Sequence, residues 1–224
     1  YRDQFYVRLA ENCVAYSWIL TAVMAASPVC DSSFVEKGRI GGDLFQGLAT
    51  VRCSELGYWN FFAPILDYTS AAAYADSIQS YIDSGMIRYP SELYYPIRLK
   101  NFGPYSLEGL KEGISHIELR MVDLNPLVRS GIDERDVLFS QLFLVWAAAQ
   151  APANLTVKDQ VQAVQNFKNA AHYDLKTVKI VMPDGTACSV VKAAKRIIDA
   201  MEAFFDDFGT SVHECLAFQR LKFE

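Results

Sequence analysis

Ser115-His116-Ile117-Glu118-Leu119-Arg120-Met121-Val122-Asp123 alternates apolar and polar residues with a period of two. Successive side chains of a strand point to opposite sides, so Ile117, Leu119 and Met121 share one face and His116, Glu118, Arg120 and Val122 the other. The spacing predicts a strand over 115–123 with its first face on a core. Its second face presents a carboxylate and a guanidinium two residues apart and pointing the same way.

Helical patterns surround this strand. Residues 106–112 read as a short helix, and residues 93–99 as a further strand. Ser70 caps a helix to residue 84 whose apolar face is Tyr74, Ile78, Tyr81 and Ile82, with Gly85 closing it. Gly38, Gly41 and Gly42 lie in a loop that leads to a strand over 49–53. Phe5, Leu9, Val14, Trp18 and Val23 recur near helical spacing, which predicts one helix over 2–26 with Pro28 just beyond it. Downstream, Asp133 opens a helix to residue 149, with Asp136 three positions on as a variant of the capping box. Thr156 caps another helix to 171, residues 176–182 read as a strand, and Pro183-Asp184-Gly185 as a turn. A long helix over 189–208 stops at Gly209, and a last one covers 212–221. With no internal repeat or linker, residues 1–224 read as a single α+β unit.

Composition excludes several classes. The 224 residues carry 21 Lys+Arg against 26 Asp+Glu, a net charge of −5 that offers no basic field for nucleic acid. The 14 Phe, 12 Tyr and 3 Trp exclude intrinsic disorder. Five scattered cysteines, an odd number without CxxC spacing, argue against a disulfide framework or a zinc ribbon and for reduced thiols in the cytoplasm. Residues 13–30 lack charge but contain Ser17, Thr21, Ser27 and Pro28, which fits a buried helix better than a membrane span. The chain shows no signal-peptide pattern, and its first residue is Tyr rather than Met, from which an upstream segment is expected.

A Glu-x-Arg pair on a strand serves either as a solvated salt bridge or, where its face lines a cavity, as chemistry. In the second case Glu118 would ligate Mg²⁺ and Arg120 would hold a phosphate in its planar fork. Arg52 precedes Gly57-Tyr58-Trp59, and Glu92-Leu93-Tyr94-Tyr95-Pro96-Ile97-Arg98 sets tyrosines and a cation on another strand. The glycines form neither GxGxxG nor a P-loop, and no nucleophilic triad is arguable.

The stretch from Gly113-Ile114 through Ile117-Glu118-Leu119-Arg120 to Asp123-Leu124-Asn125-Pro126 resembles the signature of bacterial glutamate–cysteine ligases. The likeness continues through Gly131-Ile132-Asp133-Glu134 and Leu142-Phe143-Leu144-Val145-Trp146. Ala26-Ser27-Pro28 with Ser33-Phe34, Arg52 to Tyr58, and Glu92 to Arg98 agree in order, so residues 1–150 match well and the rest loosely.

The resemblance implies an antiparallel sheet lined with helices, part of a funnel similar to that of glutamine synthetase. It implies an ATP-dependent ligase that joins glutamate to cysteine through γ-glutamyl phosphate, the first step of glutathione synthesis, with ATP and Mg²⁺ as cofactors. Glu118 matches a metal ligand, Arg120 a residue on the transferred phosphate, and Arg52 an arginine at the reacting centre. Tyr58 and Tyr94 match tyrosines that hold the cysteine substrate. The partners implied are small molecules, with neither nucleic acid nor membrane among them. The family's N-terminal half, which supplies most of its metal-binding carboxylates, has no counterpart here. The chain is therefore expected to be the C-terminal portion of such a ligase and to form little product alone. A non-catalytic binding module on the same scaffold, and a related ligase with another acceptor amine, are the rival readings.

Overall fold

The computed structural model describes residues 1–29, 31, 47–57 and 60–224. In chain order its elements are α1 (Arg2–Tyr16), α2 (Trp18–Met24), α3 (Ala71–Asp83), a 3-10 turn (Pro90–Glu92), β1 (Ile97–Asn101), α4 (Leu107–Glu112), β2 (Ile114–Leu119), α5 (Glu134–Ala149), α6 (Val157–Asn169), β3 (Lys179–Val181), β4 (Ala187–Ser189), α7 (Val190–Phe204) and α8 (Thr210–Leu221). The fold is α+β, helix-rich with two small antiparallel sheets. Two compact units divide the chain: Tyr1–Tyr16, Trp59–Arg120 and Ala147–Val164 form the first, and Ser17–Tyr58, Met121–Trp146 and Gln165–Glu224 the second.

In the first unit β1 and β2 pair antiparallel, with Ile97 opposite Leu119, Arg98 opposite Glu118, Leu99 opposite Ile117 and Lys100 opposite His116. This register sorts Ile97, Leu99, Ile117 and Leu119 to one face and the four polar residues to the other, as the period-two pattern requires. The strands pack with α1, and Ile97, Leu99, Tyr74, Ile78, Leu110 and Ile114 are buried in that core. Ser70 caps α3 by accepting from the Ala73 N–H at 3.0 Å, and Ser106 caps α4 from Gly109 at 3.0 Å. Polar side chains of α1 satisfy non-helical backbone: Asp3 accepts from Ile114 N–H at 2.9 Å, Asn12 from Ala153 at 2.8 Å and Glu11 from Leu155 at 2.7 Å. At the start of α6, Thr156 and Asp159 cap reciprocally, each accepting the other's N–H.

In the second unit α7 buries Val190, Ala193, Ala194, Ile197, Ile198 and Met201, a stripe at helical spacing. Ser189 caps it from Lys192 N–H at 3.3 Å. Asp136, buried, accepts from Lys222 Nζ at 2.6 Å and from Gln219 Nε2 at 2.8 Å. Lys222 Nζ also donates to the Val23 carbonyl at 3.1 Å, so the chain's last helix is tied to α2 and α5.

Several expectations shift. The predicted helix over 2–26 is two helices that break at Ser17, whose carbonyl accepts from Leu20 N–H at 3.1 Å and from Thr21 N–H at 3.4 Å. Asp136 does not cap α5; its carboxylate is taken by Lys222 and Gln219. The predicted strand over 49–53 is replaced by single bridges, Leu48 to His172 and Ser27 to Thr50, followed by tight turns. There a Cβ on Gly57 would lie 2.2 Å from the Arg52 carbonyl oxygen, so only glycine fits. The strand predicted over 93–99 starts at Ile97, after the 3-10 turn at Pro90–Glu92, and that over 115–123 ends at Leu119. β4, after the Gly185 turn, answers β3 and was not foreseen. The loop at Gly38, Gly41 and Gly42 lies outside the described residues. Among the described residues Cys13, Cys53, Cys188 and Cys215 are buried free thiols, and no helix is long and apolar enough to cross a membrane.

Candidate functional site

The polar face of the β1–β2 pair gathers charge. Arg98 is only 4 % exposed, and its Nη2 donates to the Ser91 carbonyl at 3.0 Å and the Leu93 carbonyl at 2.9 Å. Glu118, opposite it in register, lies 3.9 Å from Arg98 Nη1 and 3.3 Å from Lys100 Nζ. Arg120 follows directly: its backbone N–H donates to the Pro96 carbonyl at 2.9 Å, and its Nη1 to the Leu93 carbonyl at 3.2 Å. One carbonyl, that of Leu93, therefore orients two guanidinium groups.

Two tyrosines complete this face. The Arg120 guanidinium carbon lies 5.8 Å from the Tyr94 ring centroid. Tyr94 is fixed through its N–H to Asn60 Oδ1 at 2.8 Å, while Asn60 Nδ2 donates to the Glu92 carbonyl at 2.9 Å. The Tyr105 ring takes Lys100 Nζ at 4.2 Å and the Arg98 guanidinium at 5.4 Å from its centroid. Burial raises the Tyr105 phenol above its usual pKa; Arg98 and Arg120 pull it down and Glu118 pushes it up. With Arg98, Lys100 and Arg120 set against Glu118, the face is locally cationic and suited to phosphate or carboxylate oxygens.

Arg52 belongs to the second unit. There it lines a cleft of about 520 Å³ with Ser27, Val51, Asp123, Ser130 and Gly131. Cys53 beside it is buried, which pushes its thiol up to about 11. Of the residues singled out in the sequence, the first unit brings Arg120, Tyr94 and Glu118 onto one surface region; Arg52 lies in the other unit, and Tyr58 lies outside the described residues. Lys100 and Tyr105 were not singled out. The 97–101 alternation, paired against 115–119, marks Lys100, whereas Tyr105 reaches the face from the turn before α4 and carries no sequence signal.

The donor set does not fit Mg²⁺. This cation needs several oxygens, carboxylates among them. Glu118 instead sits between two cations, and among the described residues no group of three His, Cys, Asp or Glu side chains could hold a metal.

The family model described as glutamate-cysteine ligase matches residues 63–170, which include this face. A glutathione biosynthesis bifunctional protein GshAB of Listeria welshimeri is 32 % identical over 211 residues, covering 91 % of this chain and 27 % of that protein. The GshAB of Streptococcus mutans is 29 % identical over 211 residues, covering 93 % of this chain and 26 % of its own length. The chain thus spans about a quarter of the length of the curated relatives it matches. In fold it is similar to a glutamate–cysteine ligase from Francisella tularensis solved in complex with AMP, with a TM-score of 0.84 at 19 % identity over 99 % of this chain and 51 % of that one. A bifunctional glutathione synthetase from Pasteurella multocida gives 0.77 at 20 % identity, over 99 % and 28 % of the two chains.

Proposed function

The chain belongs to the glutamate–cysteine ligase family, and from that we propose that it forms part of an enzyme joining the γ-carboxylate of glutamate to the amine of cysteine at the expense of ATP. The product is γ-glutamylcysteine, made on the way to glutathione. The observation that carries this reading is the cationic face of β1 and β2, where Arg98 and Lys100 flank Glu118 and Arg120 shares the Leu93 carbonyl with Arg98, within the family-matched segment.

A carboxylate is a poor electrophile until phosphorylated. In the proposed reaction glutamate takes the γ-phosphoryl group of ATP, ADP leaves, and the amine of cysteine displaces phosphate from the acyl phosphate. Arg120 is assigned to the oxygens of the transferred group, where a preorganised donor acts on charge that builds during transfer. From the resemblance, Arg52 is assigned to the reacting chemistry, and Tyr94 and Tyr58 to the carboxylate of cysteine. A glutamine-synthetase-like funnel is part of the proposal. Mg²⁺ on Glu118 has the least support, since that carboxylate already serves Lys100 and Arg98, and no step is routed through it.

The test is ADP release by the whole protein from glutamate and ATP, with and without cysteine, and with other amines in its place. Cysteine-dependent ADP release with γ-glutamylcysteine as product is the expected result. Release that follows another amine reassigns the acceptor, and none with any amine removes the ligase reading.

A further inference from the structure

Asp123 belongs to the motif after β2 but has no part in the proposed chemistry. It is 6 % exposed, and its oxygens are occupied: Ser27 Oγ donates to Oδ1 at 2.7 Å and to Oδ2 at 2.6 Å, Ala26 N–H to Oδ2 at 2.9 Å and Leu124 N–H to Oδ1 at 3.1 Å. A carboxylate so engaged serves as an anchor. What it anchors leads to Arg52, entirely within the second unit. The Ser27 carbonyl accepts from Val51 N–H at 2.7 Å, and Ser27 Oγ lies 3.4 Å from Thr50 Oγ1, which accepts from Cys53 N–H at 3.3 Å. From the other flank Cys53 Sγ donates to the Met121 carbonyl at 3.4 Å, two residues before Asp123 itself.

We infer that Asp123 is a positioning residue for Arg52, acting through Ser27 on the 50–53 turn that presents Arg52 to the cleft. The inference rests on the reading of Arg52 as a group at the reacting centre, and it names what holds that group. Thr50, Val51 and Cys53, its neighbours, are buried, whereas Arg52 is half-buried at the wall of the cleft. The turn is thus locked to segments 26–27 and 121–123, and the Asp123 carboxyl, with four donor contacts, stands at their junction. Replacing it with Asn puts an NH₂ where at least one donor must then lose its acceptor.

The experiment uses Asp123→Asn, Ser27→Ala, Arg52→Ala and the double variant Asp123→Asn/Arg52→Ala. Steady-state ADP release by the whole protein gives kcat and KM. The modification rates of Arg52 by phenylglyoxal and of Cys53 by iodoacetamide, read by peptide mapping, report on the turn without any need for turnover. Asp123→Asn is expected to lower kcat by roughly 10–10²-fold, the scale for a reacting group displaced by about an ångström. In the Arg52→Ala background it should cost less than about twofold, because a residue acting through another is not additive with it. Both modification rates should change in Asp123→Asn and, to a smaller degree, in Ser27→Ala, which keeps the reading open should Asp123→Asn fail to fold. Additive losses in the double variant overturn the inference, as do wild-type modification rates in both single variants. A wild-type protein without ligase activity overturns the proposed function instead, and the modification rates then decide alone whether Asp123 holds Arg52.

Discussion

Arg98→Ala tests the organisation of the cationic face through stability alone. The guanidinium is buried, donates to two backbone carbonyls and faces Glu118 at 3.9 Å. Hydrogen bonds to a charged group contribute about 1.5–3 kcal/mol each, and removing one partner of a buried pair costs about 3–5 kcal/mol. These figures overlap, and the Glu118 side chain is 39 % exposed, so its share is screened by solvent. The sum expected for Arg98→Ala is about 3–5 kcal/mol, most of it from the stranded Ser91 and Leu93 carbonyls. At roughly 2–4 °C per kcal/mol for a chain of this size, the melting temperature should fall by on the order of 6–20 °C. Lys100→Ala is the internal control: it removes one partly exposed ion pair and one ring contact, about 1 kcal/mol in all. Urea unfolding followed by circular dichroism measures both. Arg98→Ala within 1 kcal/mol of wild type, or no worse than Lys100→Ala, would refute the reasoning.

Gly57→Ala should destabilise the second unit by about 1–3 kcal/mol, because its Cβ meets the Arg52 and Val51 carbonyls at 2.2 and 2.4 Å and the backbone must move; thermal melting checks it. Lys222→Ala leaves buried Asp136 with only Gln219 and frees the Val23 carbonyl, so a loss of about 1–3 kcal/mol is expected in denaturant titration. The hydrogen bond from the Arg135 guanidinium holds the Asp133 carboxyl down to about 2. A depressed carboxyl contributes stability that is present above the usual value of about 4 and lost as pH falls through 2. The melting difference between wild type and Asp133→Asn should therefore shrink between pH 4 and 2, and a difference constant with pH would count against the pair.

Local rules made much of this fold legible. Ser70 and Thr156 cap the helices they were read to cap, because an N-cap needs only its own first turn; Ser106 and Ser189, read only as helix starts, cap theirs as well. The alternation around Ile117 and Leu119 fixed which side of β2 faces the core. What escaped depends on partners distant in sequence. Asp136 looks like a capping residue until Lys222, 86 positions away, claims it. The 49–53 segment has the composition of a strand, but its backbone bonds to Ser27 and Ala171 at isolated points and then winds into turns around Gly57. Glu118 and Arg120 were legible as a same-face pair, whereas the cations that enclose Glu118 come from the partner strand and Tyr105 from a turn.

The central claim is that the guanidinium of Arg120 acts on the transferred phosphoryl group. The measurement is kcat for cysteine-dependent ADP release by the whole protein carrying Arg120→Ala, with folding verified by melting temperature. A fall of roughly 10²–10³-fold in kcat is predicted, the scale for removing one preorganised donor. Turnover at the wild-type rate in a folded Arg120→Ala protein would contradict the account and leave the Glu118–Arg120 face a structural one.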